Sequence, residues 1–227
     1  MNAVVFYSNT GQSESVARYL AKQLCYPIID IEKSGRDYYK NLVLVFPVHC
    51  QNIPYIVKAF LQTSKIEYLT VIATYGKMFH GNVLYEIQQK YHKNIVAGAY
   101  IPAKHAYIDN DGVFCDFDRL MPIVEKVKNP SKIVIPESYK NPFANLFPRL
   151  RSRLGLKIYK NSKCNSCGAC TEHCSFKAIK SGVIGSKCIR CLKCVDICPR
   201  HALRIKIGLP LKLYLRKEKV NEIILYV

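Results

Sequence analysis

At 227 residues the chain is long enough for one large domain or two small ones, each with a real core. It holds no apolar run of membrane-spanning length, and its first residues lack the basic and long apolar stretches of a secretory leader, so it reads as a soluble, cytoplasmic protein. The formal net charge of +18 is uneven: residues 1–128 carry 14 Lys/Arg against 11 Asp/Glu, whereas residues 160–207 carry ten against Glu172 and Asp196 alone.

In chain order, Ala3 to Tyr7 predicts a strand, Gly11 to Leu24 a helix with Val16, Tyr19, Leu20 and Leu24 on one face, and Ile28 to Ile31 a second strand. Leu42 to Phe46 is a third strand, closed by Pro47. A helix over Tyr55 to Leu61, a strand over Leu69 to Tyr75, a helix near Val83 to Tyr91 and a strand over Ile95 to Tyr100 follow, with a last helix over Asp118 to Val127. Strands alternating with helices imply crossovers and a parallel sheet covered on both faces, an open doubly wound α/β domain over residues 1–130.

Composition changes beyond it. Residues 131–159 read as a basic linker, in which Phe143, Leu146, Phe147, Leu150, Leu154 and Ile158 fall at helical spacing with Arg149, Arg151, Arg153 and Lys157 between them. Such a helix can lie on anionic lipid, a weak membrane-surface contact, or dock on a partner; a connector packing on its own domains is the favoured reading, and Pro148 and Gly155 interrupt the pattern. In the tail, residues 208–227, the alternation of Leu211, Leu213 and Leu215 suggests a strand.

Eight of the eleven cysteines lie between Cys164 and Cys198, and Cys25, Cys50 and Cys115 read as free thiols that behave as small apolar residues. The eight form an internal repeat offset by 24 residues, KCNSCGACTEHCSFKAIK against KCIRCLKCVDICPRHALR. Each copy reads C-x2-C-x2-C-x3-C. Zinc is commonly held by two separated cysteine pairs, whereas a cubane takes three closely spaced thiolates and a fourth from afar, so the triplets suit 4Fe-4S clusters.

Residues 160–207 resemble the bacterial-type two-cluster 4Fe-4S ferredoxins, small α+β proteins that carry one electron per cluster. That resemblance implies two clusters with crossed ligands: Cys164, Cys167 and Cys170 with Cys198, and Cys188, Cys191 and Cys194 with Cys174. The second run ends Cys198-Pro199 as the family pattern expects, while the first ends Cys174-Ser175; serine alters local stiffness or hydrogen bonding and removes no ligand. His173 and His201 flank the cysteines and read as solvent-facing.

A ferredoxin needs no large α/β domain to hold its clusters, which directs attention to Ser8, Asn9, Thr10, Gly11, Gln12 and Ser13, between the first strand and first helix. The stretch has neither G-x-x-x-x-G-K-[ST] nor G-x-G-x-x-G. Its hydroxyls and the backbone N–H groups at a helix start can surround a dianion, with a glycine where backbone must come close. It resembles the flavodoxin loop [ST]-x-T-G-x-[ST], which binds the phosphate of FMN. By placement in that flavodoxin-like fold, Pro47 and Val48 after the third strand and Thr74, Tyr75 and Gly76 after the fourth would border the ring, with Tyr75 stacking on it and Gly76 offering backbone. His49, Cys50 and His80 read as ordinary loop residues. The whole arrangement, residues 1–207, resembles the flavodoxin-ferredoxin fusion family of anaerobic bacteria and archaea.

Two clusters at about −2 each would lower +18 to roughly +14, leaving a basic protein suited to acidic redox partners: a ferredoxin, a flavodoxin or an oxidoreductase subunit. The charge alone would suit nucleic acid, but no helix-turn-helix or aromatic RNA-reading motif supports that. The expected function is electron transfer between clusters, FMN and an external partner; the alternative is a flavin-dependent reductase of a quinone or nitro compound fed through the clusters, for which no acid or base stands out.

Overall fold

The computed structural model of the protein describes residues 1–35, 38–108, 112–146, 155–217 and 219–227. Its chain forms two units, Met1–Asn141 with Lys219–Val227, and Pro142–Glu218.

Strand β1 (Asn2–Phe6) explains the first unit. Ala3 and Val5, with Tyr7 just beyond the strand, point into one apolar layer, and Val4 and Phe6 into another. A strand buried on both faces reads as a continuous apolar run, as this one does. Around it lie β2 (Ile28–Asp30), β3 (Tyr38–Pro47), β4 (Lys65–Tyr75) and β5 (Ile95–Pro102), in the parallel order 2-1-3-4-5. Helices α1 (Gln12–Leu24) and α4 (Met121–Lys128) cover one face through Val16, Leu20, Ile123 and Val127. On the other face, α2 (Tyr55–Thr63) and α3 (Val83–Tyr91) contribute Val57, Leu61, Leu84 and Ile87. The domain is flavodoxin-like and doubly wound: the strand order reverses between β1 and β3, opening a crevice at their carboxyl ends.

Strands β3 and β4 begin earlier than their apolar cores, at Tyr38 and Lys65, because their first residues alternate with solvent and carry no continuous apolar signal. Residues 131–141 pack as part of this unit. Ile133 N–H donates to the Ile95 carbonyl (2.9 Å), Ile135 is buried in the core, and the Lys140 ammonium meets both the Asn52 side chain and the Glu86 carboxylate.

In the second unit, β6 (Leu156–Lys160) pairs antiparallel with β9 (Leu203–Ile207), and β7 (Ile179–Lys180) with β8 (Val183–Ile184); two single-turn helices, α5 (Ala169–Glu172) and α6 (Lys193–Asp196), carry the third cysteine of each triplet, Cys170 and Cys194. The helical reading of residues 143–158 is corrected at its ends. Phe143 and Leu146 sit in a 3-10 turn, Pro142–Leu146, and Ile158 sits in β6. Phe147, Pro148, Leu150 and Leu154, with the arginines between them, lie outside the described residues.

The tail is corrected too. Leu211, Leu213 and Leu215 lie on helix α7 (Leu209–Leu215), which Pro210 opens in its first turn, a position where a missing N–H costs nothing. The strand of the tail is β10 (Ile224–Tyr226), which returns to the first unit and pairs antiparallel with β5, Leu225 opposite Ala99. Residues 208–227 therefore divide between the two units.

Candidate metal centres and flavin loop

The two cysteine runs adopt the same backbone. Ser166, Gly168 and Lys177 have φ of 57°, 87° and 47°, and the residues 24 positions later, Arg190, Leu192 and His201, have 61°, 66° and 46°. Left-handed residues between right-handed ones turn successive N–H groups to one side, the concave arrangement that accepts anions and iron–sulfur centres. Gly168 takes this conformation without cost, while Leu192 takes it against the Cβ penalty, held by its burial.

Hydrogen bonds repeat with the same offset. The Ala178 N–H donates to Cys174 Sγ and the Ala202 N–H to Cys198 Sγ, both at 3.3 Å. Across the copies, Asn161 N–H reaches the Ala202 carbonyl (2.9 Å) and Gly185 N–H the Ala178 carbonyl (2.7 Å). These two crossed bonds tie the end of each run to the start of the other.

Two recesses result. One, with about 400 Å³ of space partly open to solvent, is bordered by Cys188, Cys191 and Cys194 and by Cys174 of the other run. The second, with about 370 Å³, is bordered by Cys164, Cys167 and Cys170 and by Cys198. Among the described residues no three His, Cys, Asp or Glu side chains converge tightly enough to hold one metal ion. Three cysteines of one run with a fourth from the other is the ligand set that a cubane takes. The residues present thus fit a 4Fe-4S cluster in each recess.

Burial pushes the Cys191 thiol up to about 11 and the Cys194 thiol to about 12, with neighbouring cysteines adding to the effect. Thiols so raised would hold their protons at neutral pH without metal, and a cluster held by them would have to displace those protons. At Cys198 burial acts upward, but the N–H groups of Ala202, Arg200, Leu203 and His201 outweigh it and lower the pKa. Cys25, Cys50 and Cys115 are exposed rather than buried, so their reading as small apolar core residues does not hold.

In the first unit three loops meet at the carboxyl ends of β1, β3 and β4. Ser13 and Thr74, both buried, share a 2.8 Å hydrogen bond between their hydroxyls. Asn9 Oδ1 meets His49 Nε2 at 2.8 Å, and Val48 N–H donates to the Thr74 carbonyl at 2.7 Å. Pro47 ends β3 one residue earlier. Ser8 Oγ accepts the Gly11 N–H (3.1 Å), and Gly11, at φ 83°, has open space where a Cβ would stand. Helix α1 starts at Gln12 with no side chain capping it, and Thr10 is exposed beside that start. Uncapped N–H groups, a glycine with room before it and hydroxyls alongside fit a phosphate.

The ring end differs from expectation. Tyr75 is buried, with its hydroxyl donating to the Glu222 carbonyl (2.6 Å) and accepting the Glu222 N–H (3.2 Å); its ring meets His80 edge-on in the core. It offers no face for stacking. Gly76 packs under His105, where a Cβ would come within 2.9 Å of the imidazole. His105 meets Tyr107 edge to face, with centroids 5.2 Å apart and an interplanar angle of 68°. This pair, from the loop after β5, went unread because no spacing or motif in the sequence connects it to Gly76. His80 stacks on Tyr100 at 3.8 Å, as befits a core histidine.

Comparison with known families matches residues 183–204 to the 4Fe-4S binding domain. This segment is similar to a 4Fe-4S binding domain. The match spans the second cysteine run, whose recess also draws Cys174 from the first. Among solved structures the chain is similar to a short-chain flavodoxin associated with a bacterial microcompartment (18% identity, TM-score 0.41, covering 56% of this chain and 96% of that one). It is also similar to a flavodoxin from the domain Archaea (16% identity, TM-score 0.35, covering 56% and 99%). No curated protein sequence matches the chain. Among the described residues no helix is long and apolar enough to cross a membrane.

Proposed function

We propose that the protein is an electron-transfer iron–sulfur flavoprotein with two 4Fe-4S clusters and FMN. Cys164, Cys167, Cys170 and Cys198 hold one cluster, and Cys188, Cys191, Cys194 and Cys174 the other. The observation that carries this reading is the composition of the two recesses, each bordered by three cysteines of one run and the fourth of its partner. Bound clusters supply single-electron exchange, and a bound flavin converts between one- and two-electron steps. The chain's own part is to hold thiolates at fixed corners, to aim backbone N–H groups at sulfur, and to exclude water with Ile179, Ile189 and Leu192.

For FMN, the start of α1 with Thr10 and Gly11 would receive the phosphate, and the ring would lie toward Gly76 beside His105 and Tyr107. Lys163, Lys180, Lys187, Lys193, Arg200 and Arg204 surround the cysteine runs and favour an acidic redox partner.

Anaerobic purification followed by iron, sulfide and flavin analysis tests the reading. About eight iron and one FMN per chain are expected. About four iron would overturn the two-cluster assignment, and full iron with no flavin after reconstitution would overturn the FMN assignment alone.

A further inference from the structure

The pseudo-symmetry of the two recesses breaks at one position. Where the recess of Cys164, Cys167, Cys170 and Cys198 has Pro199, the other has Ser175, directly after its own crossed ligand Cys174. The Ser175 hydroxyl oxygen is buried and meets no hydrogen-bond partner among the described residues. A buried hydroxyl left unmatched costs about 1–3 kcal/mol, so a persistent one calls for a partner. The recess is lined chiefly by apolar side chains, Ile158, Phe176, Ile179, Ile184, Ile189 and Leu192, with His173 and Lys193 also bordering it. The sulfurs of Cys174, Cys188, Cys191 and Cys194 border the same space, while His173, which also borders it, is exposed and turns its Nδ1 to the Ala169 carbonyl.

Resting on the two-cluster reading above, we propose that the Ser175 hydroxyl donates a hydrogen bond to a sulfur of the cluster held by Cys174, Cys188, Cys191 and Cys194, and thereby raises that cluster's reduction potential. On reduction one electron enters the cluster, whose charge with its thiolates goes from about −2 to −3, and no bond forms or breaks. An apolar recess disfavours the added negative charge and lowers the potential; a donor to sulfur favours it and opposes that effect. Proline at the matching place in the other recess has neither hydroxyl nor N–H to give. The two clusters of a near-repeat are thus made unequal by one side chain, acting through the sulfur that it touches.

Redox titration of the reconstituted full chain with dithionite, followed by electron paramagnetic resonance, reads the two potentials separately. In Ser175→Ala, with iron content unchanged, one potential is expected to fall by the equivalent of about a tenfold change in the reduced-to-oxidised ratio, about 59 mV for one electron, while the other stays. Ser175→Thr, which keeps a hydroxyl, should stay near the wild-type values. Full iron with both potentials unmoved in the alanine variant would overturn the inference and leave the two-cluster reading intact. About four iron in the wild type would instead overturn the reading on which it rests. Should alanine cost iron, the matched pair Ser175→Thr and Ser175→Val decides, since the two fill the same space with and without a hydroxyl; equal potentials in that pair would overturn the inference.

Discussion

Thr10 and Ser13 stand three residues apart in one loop, yet removing their hydroxyls should have different effects. Thr10 is exposed beside the open start of α1, so Thr10→Ala should weaken FMN retention several-fold at nearly unchanged stability, read by flavin released on gel filtration and by urea unfolding. Ser13 is buried against Thr74, so Ser13→Ala should cost about 1–2 kcal/mol in unfolding free energy with or without flavin, because it strands the Thr74 hydroxyl. His49 adds a pH dependence. Its ring is crowded by Tyr7 and Asn9, and burial pushes its pKa down to about 4, although part of the residue remains accessible. A histidine held neutral in the folded state loses stability as pH falls from about 6.5 toward 4, since the unfolded chain binds the proton first. Stability at pH 5 should be on the order of 1 kcal/mol lower than at pH 7 from this group, after allowance for its partial exposure, and His49→Asn should flatten that part of the profile in urea titrations. Glu86 acts in the same direction at lower pH. Burial alone would raise its pKa, but the Lys140 and Lys90 ammoniums prevail and hold it down, so their stabilisation fades as the carboxylate takes up its proton.

At the level of elements, the strands and helices of the first unit were legible because most are buried on a whole face or on both, and burial writes periodicity into the sequence. Helix α3 coincides with its predicted span, Val83–Tyr91, for that reason. The tail was not legible, since β10 has only three residues and its identity depends on a partner strand more than a hundred positions earlier. Of the site, the cysteine spacing announced iron chemistry, because ligand geometry is local. The position of Tyr75 was hidden, because whether its ring faces a ligand or the core is decided by residue 222. The hydroxyl of Tyr75 supplies a test of that long-range tie. Tyr75→Phe removes two hydrogen bonds to the Glu222 backbone and should lower unfolding stability by about 1–2 kcal/mol while leaving iron content unchanged. Gly81 supplies another, at the junction of the loops after β3 and β4. At φ 69°, with a Cβ placed 2.6 Å from that of Gln51, Gly81→Ala combines backbone strain with a clash and should cost at least about 2 kcal/mol, measured by the shift of the urea midpoint.

Across the whole molecule the charge imbalance predicts kinetics rather than fold. Positive charge concentrated around the cysteine runs should speed encounter with acidic redox proteins, and stopped-flow rates of electron exchange with an acidic ferredoxin should fall about tenfold between low and 0.5 M salt. The path of the chain adds a consequence for biosynthesis. A strand that completes the first unit's sheet lies beyond every cysteine of the second, so the ribosome delivers all eight thiols before it delivers β10. Until then the Gly98–Tyr100 edge of β5 and the Tyr75 hydroxyl wait for partners that have not been made. A nascent chain stalled between residues 198 and 219 would thus carry all eight of these thiols on a flavodoxin-like domain whose sheet still lacks its last strand.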